Sequence, residues 1–185
     1  MKIIKINDGE FTYDEQTNYE KDGHVYCRTC NERVDGNPIP ILDKMMIFRT
    51  FCRCDREKEE KEKQRQRQLE QERLRKNCFI SQNQINYTFE NADELTDEIV
   101  INKARNYVKH FDEMRKDNIG LLLYGNVGSG KTYIACCIAN SIITEYSYNV
   151  KVKNLSQILN DLQAGGFKLD RNEYIDQITD ATLLI

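Results

Sequence analysis

The sequence predicts an α/β fold, in which a parallel sheet with flanking helices follows a small cysteine-rich module and a charged helix. Three observations support this prediction. Four of the seven cysteines fall within residues 1–54, residues 55–78 are mostly charged or amide side chains, and from residue 79 to 185 apolar runs alternate with segments of helical period. Strands that alternate with helices indicate parallel pairing. We therefore expect three parts with these boundaries.

Overall charge and cysteine usage limit the classes of function. The 27 basic and 30 acidic residues nearly cancel to a net charge of -3, so overall charge does not predict tight binding to nucleic acid or to an anionic membrane. Any basic surface must be local. The start, Met1 to Lys5, lacks the apolar run of a signal peptide, so we expect reduced thiols in a cytoplasm. The apolar windows are shorter than the about 20 residues of a membrane helix, so no span is expected.

The first part of the chain carries two close pairs of cysteines and is expected to be a loop-rich module held by something other than an apolar core. Cys27 and Cys30 form a CxxC pair, Cys52 and Cys54 form a CxC pair, and 21 residues separate the pairs. This spacing favours one tetrahedral zinc site of the zinc-ribbon kind, whose metal would supply folding energy. Free thiols, or a redox pair at Cys27 and Cys30, stay open as alternatives, and His24 is a candidate substitute ligand.

The charged segment 55–77 predicts a helix without a buried face. It contains nine Lys or Arg residues and seven acidic ones, and Leu69 and Leu74 are almost its only apolar side chains. Such a composition is typical of a solvated linker with i,i+4 ion pairs. An arm that touches nucleic acid is the alternative.

The third part predicts a regular succession of elements. Apolar residues at helical spacing predict a helix over 97–111, and the continuous apolar run 121–124 predicts a buried strand. A helix over 131–145, a strand over 149–153, a short helix over 156–163 and a strand over 181–185 follow. Two of the remaining cysteines, Cys136 and Cys137, fall in the apolar helix and, with Cys78, are expected to pack without chemical function.

A phosphate-binding loop with the spacing Gly-x4-Gly-Lys-Thr lies between the first of these strands and its helix. Glycines let backbone N–H groups and the helix N-terminus surround phosphate oxygens. Lys131 would reach the β- and γ-phosphates, and the Thr132 hydroxyl would bind Mg²⁺, so these two are the candidate catalytic residues. The predicted nucleotide-binding residues are Gly125, Asn126, Val127, Gly128, Ser129, Gly130, Lys131, Thr132 and Tyr133. The expected cofactors are therefore ATP and Mg²⁺, beside Zn²⁺.

The order of these parts resembles the bacterial and phage replicative helicase loaders of the DnaC/DnaI type, with IstB-like transposition ATPases as close relatives. Besides the cysteine pairs and the charged helix, the resemblance rests on three segments: Tyr87-Thr88-Phe89-Glu90-Asn91, Lys103-Ala104-Arg105-Asn106-Tyr107-Val108, and Gly120-Leu121-Leu122-Leu123-Tyr124-Gly125 leading into the loop. It covers most of the chain and is most specific from Tyr87 to Ile143.

This resemblance implies an AAA+ P-loop NTPase core, of which residues 79–185 would be the N-terminal part. It implies an N-terminal domain that binds the replicative helicase hexamer, and ATPase domains that self-associate and bind ATP and single-stranded DNA. Carried over by position, the segment from Tyr87 to Asn91 would lie near the adenine. Tyr87 and Phe89 as plain core aromatics are an equal alternative.

The end of the sequence departs from the family pattern. The run Asp180-Ala181-Thr182-Leu183-Leu184-Ile185 resembles the start of a Walker B strand, without the acidic residues that hold the metal and activate water. We therefore expect a fragment with an exposed apolar edge on its first strand, which binds nucleotide weakly and hydrolyses ATP poorly.

Three functions fit these features. The first is an ATP-binding DNA replication protein, or its N-terminal portion, that loads the replicative helicase onto single-stranded DNA. The second is a zinc-stabilised module that binds the helicase while its ATPase half is inert, and nucleotide affinity separates it from the first. The third is an IstB-like transposition ATPase, which ranks lower because of the cysteine module.

Overall fold

A computed structural model describes residues 1–7, 9–42, 44–92, 97–164 and 171–185. The chain divides into two compact units, Met1–Gln66 and Arg67–Ile185, which we call the N-terminal and C-terminal units. One helix, α1 (Arg53–Cys78), continues across the boundary, so the helix predicted over 55–77 is present. Among the described residues, no helix is both long enough and apolar enough to cross a membrane.

Short strands form most of the N-terminal unit. Four of them, β1 (Lys2–Ile6), β2 (Gly9–Tyr13), β5 (Ile39–Ile41) and β6 (Lys44–Met46), make one sheet in the order β1-β2-β6-β5. In this sheet β2 and β6 are parallel and the other pairs are antiparallel. The remaining two, β3 (Asn18–Lys21) and β4 (His24–Cys27), form a separate antiparallel hairpin.

The N-terminal unit has an apolar core, which corrects the prediction of a loop-rich module without one. Alternate residues of β1 and β2 point to one side, where they meet residues from β4 and from the segments that follow it. The buried cluster consists of Ile4, Ile6, Phe11, Tyr13, Val25, Cys27, Val34, Ile47 and Cys52. Because the strands are short and each buries only a few side chains, the alternation of apolar and polar residues that would predict them is weak in the sequence.

The C-terminal unit is mainly helical. After α1 come a 3-10 helix (Gln82–Asn86), α2 (Glu98–Lys109), α3 (Phe111–Lys116), α4 (Lys131–Tyr146), β7 (Val150–Lys151), α5 (Leu155–Ala164), α6 (Arg171–Thr179) and β8 (Leu183–Leu184). The Asp97 side chain caps α2 by accepting the Ile99 N–H at 2.9 Å. Most residues of α4 are buried, so this helix is the centre of the unit.

Three cysteines pack in the core of the C-terminal unit, as the sequence predicts. Cys78 is 2% exposed, and Cys136 and Cys137 are fully buried. Burial raises the pKa of Cys78 and of Cys137 to about 12, and that of Cys136 to about 11. These thiols are neutral packing groups. Leu74 joins the same core, so the last turns of α1 are not the solvated helix that its composition predicts.

The strand predicted over 121–124 is not formed. Within the described residues, β7 and β8 pair in parallel only with each other, and Gly120 to Gly125 forms neither a helix nor a strand. A strand exists only where a neighbouring segment completes its hydrogen-bonded ladder. Leu122 and Tyr124 are 83% and 90% exposed, so this apolar segment is uncovered along one side. The described fold is mixed α/β with a two-stranded parallel pair in place of the larger predicted sheet.

Candidate phosphate-binding loop and cysteine cluster

The loop before α4 uses glycines where the backbone requires them. Gly125, Gly128 and Gly130 have φ values of +147°, +84° and +76°, which other residues adopt only with strain. At Gly125 a Cβ atom would also lie 3.0 Å from the Ser129 Oγ. The sequence motif therefore corresponds to a loop whose backbone turns tightly ahead of the helix.

The amine of Lys131 folds back over this loop. Its Nζ donates to the carbonyl oxygens of Gly125 at 3.0 Å and Asn126 at 2.7 Å, and lies 3.4 Å from the Ser129 Oγ. Within the described part of the chain, no carboxylate forms a salt bridge with Lys131. These contacts are to neutral oxygen atoms, and an anion in the loop would offer the amine stronger partners.

The N-terminus of α4 presents donors to the same place. Gly130 is the N-cap residue and supplies no side chain, and the first turn of α4 contains no acidic residue. The first N–H groups of a helix lack intrahelical partners, and the helix dipole favours an anion there. Backbone donors, helix dipole and Lys131 thus suit a phosphate group.

Thr132 is exposed in the first turn of α4, but the described residues supply no carboxylate cluster beside it. Among them, the four cysteines are the only group of three or more side chains that could hold a metal ion.

The segment after the 3-10 helix lies against Tyr133. The Tyr87 and Tyr133 rings are 4.8 Å apart, and the Tyr133 hydroxyl donates to the Thr88 carbonyl at 2.8 Å. Phe89 is buried in the core and Tyr87 packs against it. The core role expected as the alternative for these two aromatics is therefore present, and the segment also adjoins the residue after Thr132.

Asn140 fixes this segment, although the sequence analysis assigns it no role. Its Nδ2 donates to the carbonyl oxygens of Gln84 and Tyr87, each at 2.9 Å, from a site that is 4% exposed. The sequence signal for this role is a polar residue within the apolar stretch of a predicted helix. Such a residue is expected to be buried, and a buried amide needs hydrogen-bond partners.

The four cysteines of the N-terminal unit converge. Cys27 ends β4, Cys30 lies in the turn after it, Cys52 precedes α1 and Cys54 is in the first turn of that helix. Their Sγ atoms all lie within 4.8 Å of one another. Zinc bonds of about 2.3 Å in a tetrahedron place sulfurs about 3.8 Å apart, so small side-chain adjustments suffice. The cluster can hold a metal ion such as zinc.

The thiols of the cluster differ in acidity. A backbone N–H at Cys30 lowers the pKa of Cys27, and one at Glu32 lowers the pKa of Cys30 to about 6. Burial raises the pKa of Cys52 to about 12, and a hydrogen bond with Cys30 raises the pKa of Cys54 to about 11. The protein alone thus favours ionisation of Cys27 and Cys30 over the other two, whereas a bound cation stabilises all four as thiolates.

His24 belongs to a neighbouring hydrogen-bond network and is not part of the four-cysteine group, so the candidate substitute ligand lies outside the cluster. Its Nδ1 lies 2.8 Å from the Oδ2 of Asp35, which also accepts a hydrogen bond from Arg33, while the Asp35 Oδ1 accepts the Val25 N–H at 2.7 Å. Burial opposes ionisation of Asp35, but these hydrogen bonds outweigh it and lower its pKa. The network fixes β4, the strand that ends at Cys27.

Glu32 and Asp35 are the site residues that sequence reasoning misses in this unit. The Glu32 carboxylate accepts the N–H of Arg53 at 2.6 Å, where a negative charge stabilises the start of α1. Acidic residues between the two cysteine pairs are the signal that could have pointed to them.

Comparison with known proteins finds no family model, no curated protein and no solved structure that matches this chain.

Proposed function

We propose that the chain is an ATP-binding DNA replication protein of the helicase-loader type, or its N-terminal portion, which binds ATP at the loop before α4 and zinc at the four cysteines. The observation that carries the proposal is the loop itself. Three glycines with positive φ, a helix N-terminus without a side-chain cap and the Lys131 amine meet in one loop. Such a combination suits the phosphates of a nucleotide.

The chain's own residues would bind and orient the phosphates. Lys131 would exchange its contacts with the Gly125 and Asn126 carbonyl oxygens for phosphate oxygens, which form stronger, charge-assisted hydrogen bonds. The N–H groups of the first turn of α4 would hold the same oxygens, and Thr132 would bind Mg²⁺ there. Bound Mg²⁺ supplies positive charge beside the phosphates.

Binding rather than turnover is the expected activity of the loop. Efficient phosphoryl transfer needs a carboxylate that holds the metal and a group that positions water. Among the described residues, no group of three or more metal-ligating side chains lies beside Thr132. We expect steady ATP turnover to be slow, and turnover comparable to that of complete loaders would contradict this part of the proposal.

In the N-terminal unit, zinc would tie the end of β4 to the start of α1. The metal would thereby hold together two cysteine pairs that 21 residues separate in the sequence. By the loader resemblance, this part of the chain would bind the replicative helicase. The inert-ATPase module and the IstB-like ATPase remain the competing functions, and the two experiments below separate them.

The nucleotide site is tested by titrating the zinc-loaded chain with a fluorescent ATP analogue in the presence of Mg²⁺. Lys131→Ala should weaken binding by about 10-fold or more, since a hydrogen bond to a charged group is worth about 1.5–3 kcal/mol. Lys103→Ala removes an exposed charge from α2 and is the matched control. Equal affinity of the Lys131→Ala and Lys103→Ala variants would refute the site, and undetectable binding by the folded parent chain would favour the inert-ATPase module.

The partner is tested by measuring binding of the same chain to a replicative helicase hexamer and, in parallel, to a transposase. Helicase binding that Cys27→Ser abolishes, and that ATP modulates only when Lys131 is present, supports the loader. Binding to the transposase alone would replace the loader with the IstB-like ATPase as the proposed function.

A further inference from the structure

The four cysteines of the N-terminal unit differ in their access to solvent. Cys27 and Cys52 are buried, with 7% and 1% of their surface exposed, whereas Cys30 and Cys54 are partly exposed. The partly exposed pair contains one member of each sequence motif, since Cys30 ends the CxxC pair and Cys54 ends the CxC pair. A dissolved oxidant therefore reaches Cys30 and Cys54 before it reaches the other two sulfurs.

Cys30 and Cys54 also lie within reach of each other. All four Sγ atoms are within 4.8 Å of one another, and the Cys30 and Cys54 side chains share a hydrogen bond. A disulfide holds its sulfurs about 2 Å apart, and side-chain rotation can bring two sulfurs together over the remaining distance. The two partly exposed sulfurs can therefore form a bond within the observed fold.

This geometry bears on the redox pair that the sequence leaves open at Cys27 and Cys30. Cys27 ends β4 and is part of the buried apolar cluster of the unit, and Cys52 belongs to the same cluster. Cys30 and Cys54 only pack against that cluster. The pair open to an oxidant is therefore Cys30 and Cys54, which would join the turn after β4 to the first turn of α1.

We propose that the cluster is a redox switch, in which hydrogen peroxide joins Cys30 and Cys54 in a disulfide and zinc is released. The proposal rests on the zinc site of the proposed function and adds regulation to that site. First, the thiolate of Cys30 attacks a peroxide oxygen, the O–O bond breaks, and a sulfenic acid and hydroxide form. Next, the Cys54 thiolate attacks the Cys30 sulfur, the S–O bond breaks, and hydroxide leaves. The two sulfurs together lose two electrons to one peroxide, and the reverse order gives the same product.

The disulfide changes what the cluster can hold. Its sulfurs are neutral, so a zinc ion would lose two of the four thiolates that bind it. The new bond keeps one structural role of the metal, because it still ties the turn after β4 to the start of α1. The apolar cluster of the unit, from Ile4 to Cys52, is not part of the reaction. We therefore expect the oxidised chain to release zinc while the N-terminal unit stays folded.

The test treats the full zinc-loaded chain with hydrogen peroxide and follows zinc release with a chromogenic chelator. About one zinc ion per chain should appear, and a thiol reductant followed by added zinc should restore the starting form. Trypsin cleavage after Lys and Arg places the four cysteines in separate peptides, 22–28, 29–33, 50–53 and 54–56. After alkylation of free thiols, mass spectrometry should find peptide 29–33 linked to peptide 54–56. The buried Cys78, Cys136 and Cys137 are the internal control and should stay reduced.

Cys52→Ser and Cys54→Ser are matched variants, because each removes one thiolate from the CxC pair. The Cys52→Ser chain should still link 29–33 to 54–56, whereas the Cys54→Ser chain should not. Circular dichroism shows whether each variant is folded, and the linkage in the parent chain decides the question where a variant is not.

Three results would overturn the switch: a main product that links 22–28 to 29–33, a sulfinic acid at Cys30 without a cross-link, or zinc retained until the thiols of the C-terminal unit oxidise. A folded, reduced parent chain that binds no zinc would instead contradict the zinc site itself. Failure of the switch and failure of the proposed function are therefore distinguishable.

Discussion

Replacing Asn140 with alanine should destabilise the C-terminal unit more than any conservative change on the surface of α4. The substitution removes both donors to the Gln84 and Tyr87 carbonyl oxygens. Two lost hydrogen bonds are worth about 2 kcal/mol, and the Tyr87 carbonyl left without this donor adds about 1 kcal/mol, whereas the Gln84 carbonyl keeps the Tyr87 N–H at 3.2 Å. The free energy of unfolding should therefore fall by about 3 kcal/mol.

The other polar atom of Asn140 adds to this expectation. Its Oδ1 is buried and has no hydrogen-bond partner in the described part of the protein. The side chain thus carries a cost that its Nδ2 contacts must offset. Asn140→Asp should be worse than Asn140→Ala at neutral pH, because a carboxylate would face two carbonyl oxygens without a donor.

The assay is urea unfolding followed by far-ultraviolet circular dichroism, with the change read from the midpoint at an unchanged m value. Asn106→Ala, on the exposed face of α2, is the control and should change stability by less than about 0.5 kcal/mol. A loss below about 1 kcal/mol for Asn140→Ala, or an aspartate variant more stable than the alanine one, would refute the reasoning.

Three further changes test other contacts. Asp35→Asn should destabilise the N-terminal unit by about 2–3 kcal/mol at pH 7. Because the folded pKa of Asp35 is lowered, the difference should narrow as the pH falls below about 4, where the parent carboxyl also protonates. The double change Arg67→Ala and Gln71→Ala removes donors to the last carbonyl groups of α4 and should lower the free energy of unfolding by about 1–2 kcal/mol. The control Arg65→Ala leaves those carbonyl groups bonded and should cause no measurable change in stability. Gly125→Ala should weaken nucleotide binding by about 10-fold, since its φ of +147° strains alanine.

Each of these outcomes can fail in a definite way. A pH-independent effect of Asp35→Asn would show that the lost contact is not that of a carboxylate. Equal stability of the Arg67/Gln71 double variant and of Arg65→Ala would mean that water replaces the cap without cost. Parent-like nucleotide affinity of Gly125→Ala would show that the loop does not need its observed backbone to bind phosphate.

Local chemistry explains which parts of the structure could be predicted. The loop from Gly125 to Thr132 and the helix after it follow from glycine conformation and continuous apolar residues, and α4 begins at Lys131 as expected. The four cysteines converge because two close pairs leave few alternatives. Both features depend on residues near each other in the chain or on strong pairwise chemistry.

The features that the sequence did not predict depend on contacts between residues far apart in the chain. The prediction of a strand over 121–124 rests on apolar character alone, which does not say whether a neighbour will complete its ladder. Sequence reasoning misses β1 and β2, although Ile4 and Ile6 alternate with polar residues and Asn7-Asp8-Gly9 is a turn signal. The contacts of Asn140 and Asp35 join residues that only the fold brings together, so composition could not reveal them.

The exposed middle of α1 has a consequence for proteolysis. Residues 56–69 of this helix are all exposed and include many lysines and arginines, while Leu74 and Cys78 anchor its end in the C-terminal unit. Trypsin cleaves only where the backbone opens, and this stretch is held mainly by helical hydrogen bonds and surface ion pairs. Brief digestion should therefore nick the chain there first and yield two fragments, each retaining its own buried cluster.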